Sequence, residues 1–188
     1  MRKFEEIIEL AAQFLNSENI PHMFVGAITI GYYGIPRTTQ DIDIVVVIPH
    51  DKISRFAEYF QSMDFYCPAD DIKMAFDEKS HFGVFDNQSP FRLDVKGIYS
   101  EFDQQSFLRR VQVESLKLKL WLCTPEDAII SKLMYGSPKD ILDTKGILMR
   151  LKDKLDYNYL TKYSKVFKVS KDYRKIIGEV SNLETERD

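Results

Sequence analysis

The stretch Asp41-Ile42-Asp43-Ile44-Val45-Val46-Val47-Ile48 constrains this chain more than any other. A run of β-branched residues stopped by Pro49 reads as a strand. Side chains alternate faces along a strand, so Asp41, Asp43, Val45 and Val47 share one face and Ile42, Ile44, Val46 and Ile48 the other. A strand apolar on both faces is normally covered on both sides. Two carboxylates side by side at its start then need an explanation, because like charges at that spacing raise each other's pKa and resist burial. A bound divalent cation resolves the conflict. Magnesium takes oxygen ligands and completes its shell with water and substrate phosphates, and two carboxylates on one strand face can bridge two such ions roughly 3.5–4 Å apart. Plain solvation at an exposed strand end is the competing reading, and an Asp-x-Asp pair alone does not decide between them.

The rest of the chain supplies the frame. Phe4, Ile7, Ile8, Ala11, Ala12 and Leu15 recur at helical spacing, which predicts an opening amphipathic helix over 3–15. A short strand is expected over 22–26, a short helix over 27–33 and a loop over 34–40, marked by Gly34 and Pro36. Helices follow over 51–63 and 68–76. Residues 81–85 and 91–96 read as strands joined by a hairpin-like segment, and 116–122 as a half-buried strand. From Thr124 the pattern turns helical: Thr124 suits an N-cap, Pro125 the first helical position, and Glu126 and Asp127 the positive end of the dipole. Helices are expected over 125–135, 138–151 and much of 156–180, with a frayed tail at Glu184–Asp188. The layout is an α+β protein: a core over residues 1–123 with a mixed sheet flanked by helices, then a helical part over 124–188 packed on that core. At 188 residues the chain is long enough for one domain with a core and a helical appendage.

Composition excludes some classes. A net charge of −3 gives no bulk electrostatic case for a nucleic-acid binder. The lysine-rich stretch from Lys152 to Lys175 is read as a solvated helix face, with a polyanion platform as the sharper alternative. Cys67 and Cys123 fit neither a metal spacing nor a disulfide framework, which points to a reducing compartment. The acidic opening segment does not suit a signal peptide, and the longest apolar run is too short to span a bilayer, so a cytoplasmic protein with no membrane partner is expected. His22, His50 and His81 have no partner at ligand spacing.

The context of the two aspartates carries a family resemblance. Gly26-Ala27 is followed after thirteen residues by Asp41-Ile42-Asp43-Ile44, and the loop between carries Arg37-Thr38-Thr39-Gln40. This resembles the nucleotidyltransferase superfamily of polymerase beta-like fold, and Arg37 through Asp43 looks like its AbiEii-type branch of bacterial toxins and uncharacterised nucleotidyltransferases. The resemblance implies the nucleotidyltransferase fold and a metal-dependent transfer of a nucleoside monophosphate from an NTP to a hydroxyl. Two Mg2+ ions would sit on Asp41, Asp43 and a third acid. The acceptor (RNA, protein or small molecule) is left open, and an antitoxin partner is implied if the chain is the toxin of a two-gene system. Gly26 opens a helix whose free N–H groups can cradle phosphates, a small residue at 27 lets the backbone approach, and Arg37 can grip a phosphate bidentately. Thr39 lies in the same nucleotide-binding loop. The competing readings are a strand-to-helix turn for Gly26 and a solvated loop residue for Arg37.

The third acid is assigned to Asp94, on a strand where Arg92, Asp94 and Lys96 face one way; it would act as metal ligand or general base. A polar face with mutually compensating charges is the rival reading. On the helices after Thr124, the resemblance places Lys132, Asp140 and Asp143 near the nucleotide; otherwise Lys132 flanks the core and Asp140 complements a helix dipole. One departure stands out: the family has Gly or Ser where this chain has Ala27. It favours an alternative from another class, a non-catalytic module that uses the same fold to bind nucleotide, RNA or a protein partner.

Overall fold

The computed structural model describes residues 1–185. The chain forms two compact units, residues 1–28 with 38–123, and residues 29–37 with the segment from Thr124 onward.

In the first unit, helix α1 (Phe4–Ser17) leads into strand β1 (His22–Phe24), and the chain then enters α2 (Gly26–Tyr33), whose first three residues belong to this unit. There follow β2 (Asp41–Val46), α3 (Ile53–Ser62), β3 (Phe65–Tyr66), α4 (Ala69–Asp77), β4 (His81–Asp86), β5 (Arg92–Lys96), α5 (Glu101–Arg109), β6 (Val111–Ser115) and β7 (Leu118–Leu122). The strands form one mixed sheet in the order β3-β4-β5-β2-β1-β7-β6. The β2–β5 and β1–β7 pairs are parallel and the other neighbours antiparallel.

The two faces of this sheet differ in what covers them. Ile42, Ile44, Val46, Val84, Leu93 and Val95 point into a core built with Ile7, Ala11 and Phe14 of α1, Phe56 and Phe60 of α3, and Ile72 of α4. On the opposite face, α5 packs over one end only. Its Ser106 lies against Met23, and its Asp103 accepts a hydrogen bond from Lys96 at 2.7 Å. Val45, in register with Met23 and Lys96, is therefore buried, while Asp41, Asp43 and Asp94 at the other end stay partly open.

Three elements carry no clear signal in the sequence. Among the residues of α5, the buried ones are Asp103, Ser106 and Phe107, so no apolar stripe marks it; Ser100 and Asp103 start it as a reciprocal capping box. β6 is a mostly exposed edge strand, and its turn into β7 holds Leu116 and Lys117 at φ of +55° and +61° without the glycine that usually announces such a turn. β3 is two residues long.

The second unit contains α6 (Pro125–Tyr135), α7 (Pro138–Leu151), α8 (Tyr157–Val166) and α9 (Ser170–Thr185). Thr124 accepts the Asp127 N–H at 3.2 Å and Gly136 closes α6 at φ +67°. Ser137 caps α7. The helical segment expected over much of 156–180 consists of two helices. Lys168 turns to φ +60°, and the N–H of Val169 reaches back to the Ser164 carbonyl at 2.8 Å. Among the described residues no helix is long and apolar enough to cross a membrane. The fraying expected of the tail falls partly on residues 186–188, which lie outside the described residues.

Candidate active site

The first unit places the three expected acids on one face of the sheet. β2 and β5 run parallel with Asp41 opposite Arg92 and Asp43 opposite Asp94. Register partners share a face, and neighbouring strands lie about 4.8 Å apart, so Asp43 and Asp94 are immediate neighbours on the open face. On the far side of Asp43, the Val25 N–H donates to the Asp43 carbonyl at 3.0 Å, and Gly26 follows at φ +60°. A Cβ on Gly26 would lie 1.9 Å from Asp43 Oδ2. The Asp43 carboxylate thus fills the space a side chain at 26 would need, and the backbone there is left-handed. Glycine is required on both counts. Ala27 continues the first turn of α2. Thr39 Oγ1 accepts the Asp41 N–H at 3.2 Å and fixes the first residue of the strand.

Arg92 joins them. Its Nη2 lies 2.9 Å from Asp41 Oδ1 and its Nε 3.1 Å from Asp94 Oδ1. The compensating charge foreseen for Asp94 is real, and it extends across the strand pair to Asp41. The magnesium that the fold family implies can be tested against this arrangement. The donors are carboxylate oxygens only, as a hard cation prefers, and Gly26 leaves the backbone bare beside them. Among the described residues no three acidic, histidine or cysteine side chains are gathered as a ready-made metal site. The fit is therefore to the two-carboxylate mode, in which substrate phosphates complete the shell. Arg92 does not obstruct that mode at much cost. Its side chain and that of Asp41 are each 42 % exposed, and such pairs contribute only about 0–1 kcal/mol.

The other predicted residues form a cluster in the second unit. Lys132 Nζ lies 2.8 Å from Asp140 Oδ1 and 3.0 Å from Asp143 Oδ2. Arg37 reaches Asp143 through Nε at 3.1 Å and Nη2 at 3.3 Å, while its buried Nη1 has no hydrogen-bond partner. Asp140 also accepts from the Ser137 N–H and hydroxyl. Burial alone would raise the Asp140 pKa, but the bonds from Lys132 and Ser137 outweigh it and hold the carboxyl below its ordinary value. Both cations expected to meet phosphate are thus held by aspartates of their own unit. The motif from Arg37 to Asp43 is divided, with its arginine in one unit and its acids in the other.

Residues 2–178 match the family described as nucleotidyltransferase of unknown function (DUF6036). The chain belongs to this family. Solved structures of similar fold agree with the membership. One is an antigenic nucleotidyltransferase-like protein from Paracoccidioides brasiliensis (TM-score 0.58, 18% identity, 96% of this chain and 89% of that one). The antibiotic-resistance factor ANT(2'')-Ia aligns over 96% of each chain with a TM-score of 0.54 and 11% identity. The lincosamide antibiotic adenylyltransferase LnuA aligns over 77% of this chain and 96% of its own, with a TM-score of 0.53 and 11% identity. At such identities these likenesses establish that this DUF6036 member has the nucleotidyltransferase fold. No curated protein matches its sequence.

Proposed function

We propose that this protein transfers a nucleoside monophosphate from a magnesium-bound nucleoside triphosphate to a hydroxyl acceptor, releasing pyrophosphate. The observation that carries the reading is the in-register pair of Asp43 and Asp94 on the open face of the sheet, with Gly26 set against the Asp43 carboxylate. Asp41 and Asp43 would hold the magnesium, which when bound neutralises phosphate oxygens and polarises the α-phosphorus. The bare backbone at Gly26 and the free N–H groups of the first turn of α2 suit the phosphates. Asp94, next to Asp43, would accept the proton of the acceptor hydroxyl as its oxygen bonds to the α-phosphorus and the bond to pyrophosphate breaks. ATP is the donor we propose, because adenylyltransferases are among the proteins of similar fold. Arg37, Lys132 and Asp140 keep in this proposal the ion-pair roles they have in the second unit.

One observation favours a second reading, nucleotide binding without transfer: Arg92 pairs with both Asp41 and Asp94, two of the acids that transfer would use. Calorimetric titration with ATP, with and without magnesium, and a transfer assay with radiolabelled ATP separate the two. Magnesium-dependent binding that disappears in Asp41→Asn/Asp43→Asn, together with pyrophosphate release, supports transfer. Binding without pyrophosphate release from any acceptor pool supports the second reading. No binding by the native protein rejects both.

A further inference from the structure

The open face of the sheet continues past Asp94. β4 pairs with β5 so that Gly83 stands opposite Asp94 and Phe85 opposite Arg92. β3 pairs with β4 so that Tyr66 stands opposite Phe85. All five residues therefore share the face that carries the carboxylates. A Cβ on Gly83 would lie 2.5 Å from the Phe85 ring. The ring is laid down along the sheet over Gly83, and only the missing side chain there makes this possible. Its outer side remains open: Phe85 is 43% and Tyr66 54% exposed, with ring centroids 6.3 Å apart. Solvated strand faces ordinarily carry polar side chains. Here two aromatic rings lie beside a row of charge.

We propose that Phe85 and Tyr66 form the floor of the acceptor subsite, and that the acceptor is a small molecule carrying its hydroxyl on a ring with an apolar face. The proposal rests on the reading of Asp94 as the proton acceptor. Gly26, Asp43, Asp94 and Gly83 succeed one another across the face, with the strands about 4.8 Å apart. Phosphates at Gly26 and Asp43 leave only the β4 side of Asp94 for the incoming hydroxyl. A hydroxyl at Asp94 then puts the ring that bears it one strand spacing further on, over Phe85. The attacking hydroxyl and the leaving pyrophosphate then lie on opposite sides of the transferred phosphorus, as in-line displacement requires. An apolar floor with a few charged groups at one edge is the usual composition of a small-molecule site. Such a ring face can belong to a sugar or to a nucleobase, and both stack on an aromatic side chain.

The test uses saturation-transfer NMR on the full chain with magnesium and α,β-methylene-ATP, a non-reacting analogue that occupies the nucleotide position. The probes are methyl β-D-glucopyranoside, adenosine and glycerol. At least one ring compound should receive saturation from the protein, its identity distinguishing sugar from base, and glycerol should not. Phe85→Ala should weaken that binding roughly fivefold or more, the scale of one lost stacking contact. Phe85→Tyr should retain it. Gly83→Ala, which displaces the ring, should weaken it as well. The Phe85 side chain is too exposed for its loss to unfold the sheet, and an unchanged melting temperature checks this. Binding of neither ring compound, or equal binding by Phe85→Ala and native protein, overturns the subsite. Calorimetric binding of the analogue in the same samples separates the two levels. If the analogue binds and ring binding ignores Phe85, the subsite alone is wrong. If the native protein does not bind the analogue, the transferase reading fails and the subsite with it.

Discussion

Gly26 is the position least open to change. A side chain there meets Asp43 Oδ2 at 1.9 Å and a left-handed backbone as well; the conformational term alone costs roughly 1–2 kcal/mol. Gly26→Ala should therefore lower the melting temperature and abolish magnesium–ATP binding together, readable by calorimetry on the same samples. Asp94→Asn is different. It keeps the shape and one acceptor for Arg92, so nucleotide binding and stability should stay close to native while transfer falls at least a hundredfold, the usual share of a general base. Full activity in that variant would remove Asp94 from the reaction. Asp143 serves two cations, Arg37 and Lys132, from a side chain only 5% exposed. Asp143→Asn should destabilise the protein by about 3–5 kcal/mol, as loss of one partner from a buried pair does, measured by urea unfolding. The aspartates of β2 were legible from alternation alone. Arg92 was visible only as a same-face neighbour of Asp94, since its pairing with Asp41 depends on a register between strands that lie about fifty positions apart in the sequence.

Elements announce themselves when their buried residues are apolar and their ends are capped. α6 and α7 have the bounds the sequence predicts, because Thr124-Pro125, Gly136 and Ser137-Pro138 mark every terminus but the last. Thr124→Ala should accordingly cost about 1 kcal/mol in thermal or denaturant unfolding. α5 escaped detection for the opposite reason. It is held by polar groups: Ser100 and Asp103 cap it, and Asp103 also takes the 2.7 Å bond from Lys96 of β5. No periodicity of apolar residues reports such a helix. The same limit applies to Phe85 and Tyr66, which read as ordinary strand residues until the pairing of β3, β4 and β5 puts them next to Asp94.

For the whole molecule, acid is the condition that tests the charged groups together. Burial, aided by Arg110, holds the His22 imidazole below its ordinary 6.5 despite a backbone contact with Ile20 that acts the other way. Asp140 is held below its ordinary 3.8 for the reasons given above. Burial would raise Asp103 too, but Lys96 and the capping contacts of Tyr99 and Ser100 outweigh it and hold it below 3.8. Each group binds its proton more weakly folded than unfolded, so the stability these three contribute is full at pH 7 and declines as pH falls, first through His22 and below about pH 4 through the aspartates. Urea unfolding at pH 7, 5 and 3 should show this decline, and Asp140→Asn should flatten its lower part. The α+β class and the nucleotidyltransferase superfamily were legible because the signal for them rests on one strand and one loop; the AbiEii-type branch is not what the family match gives. The division of the chain was less so, since residues 29–37 join the helical unit although they interrupt the sequence of the other. The bonds between Arg92 and its two aspartates also set an order of binding. A divalent ion that settles on Asp41 must draw it away from the guanidinium, and without phosphate oxygens its shell stays incomplete. Mn2+ should therefore bind weakly to the nucleotide-free protein by paramagnetic titration, and tightly once a triphosphate completes its shell.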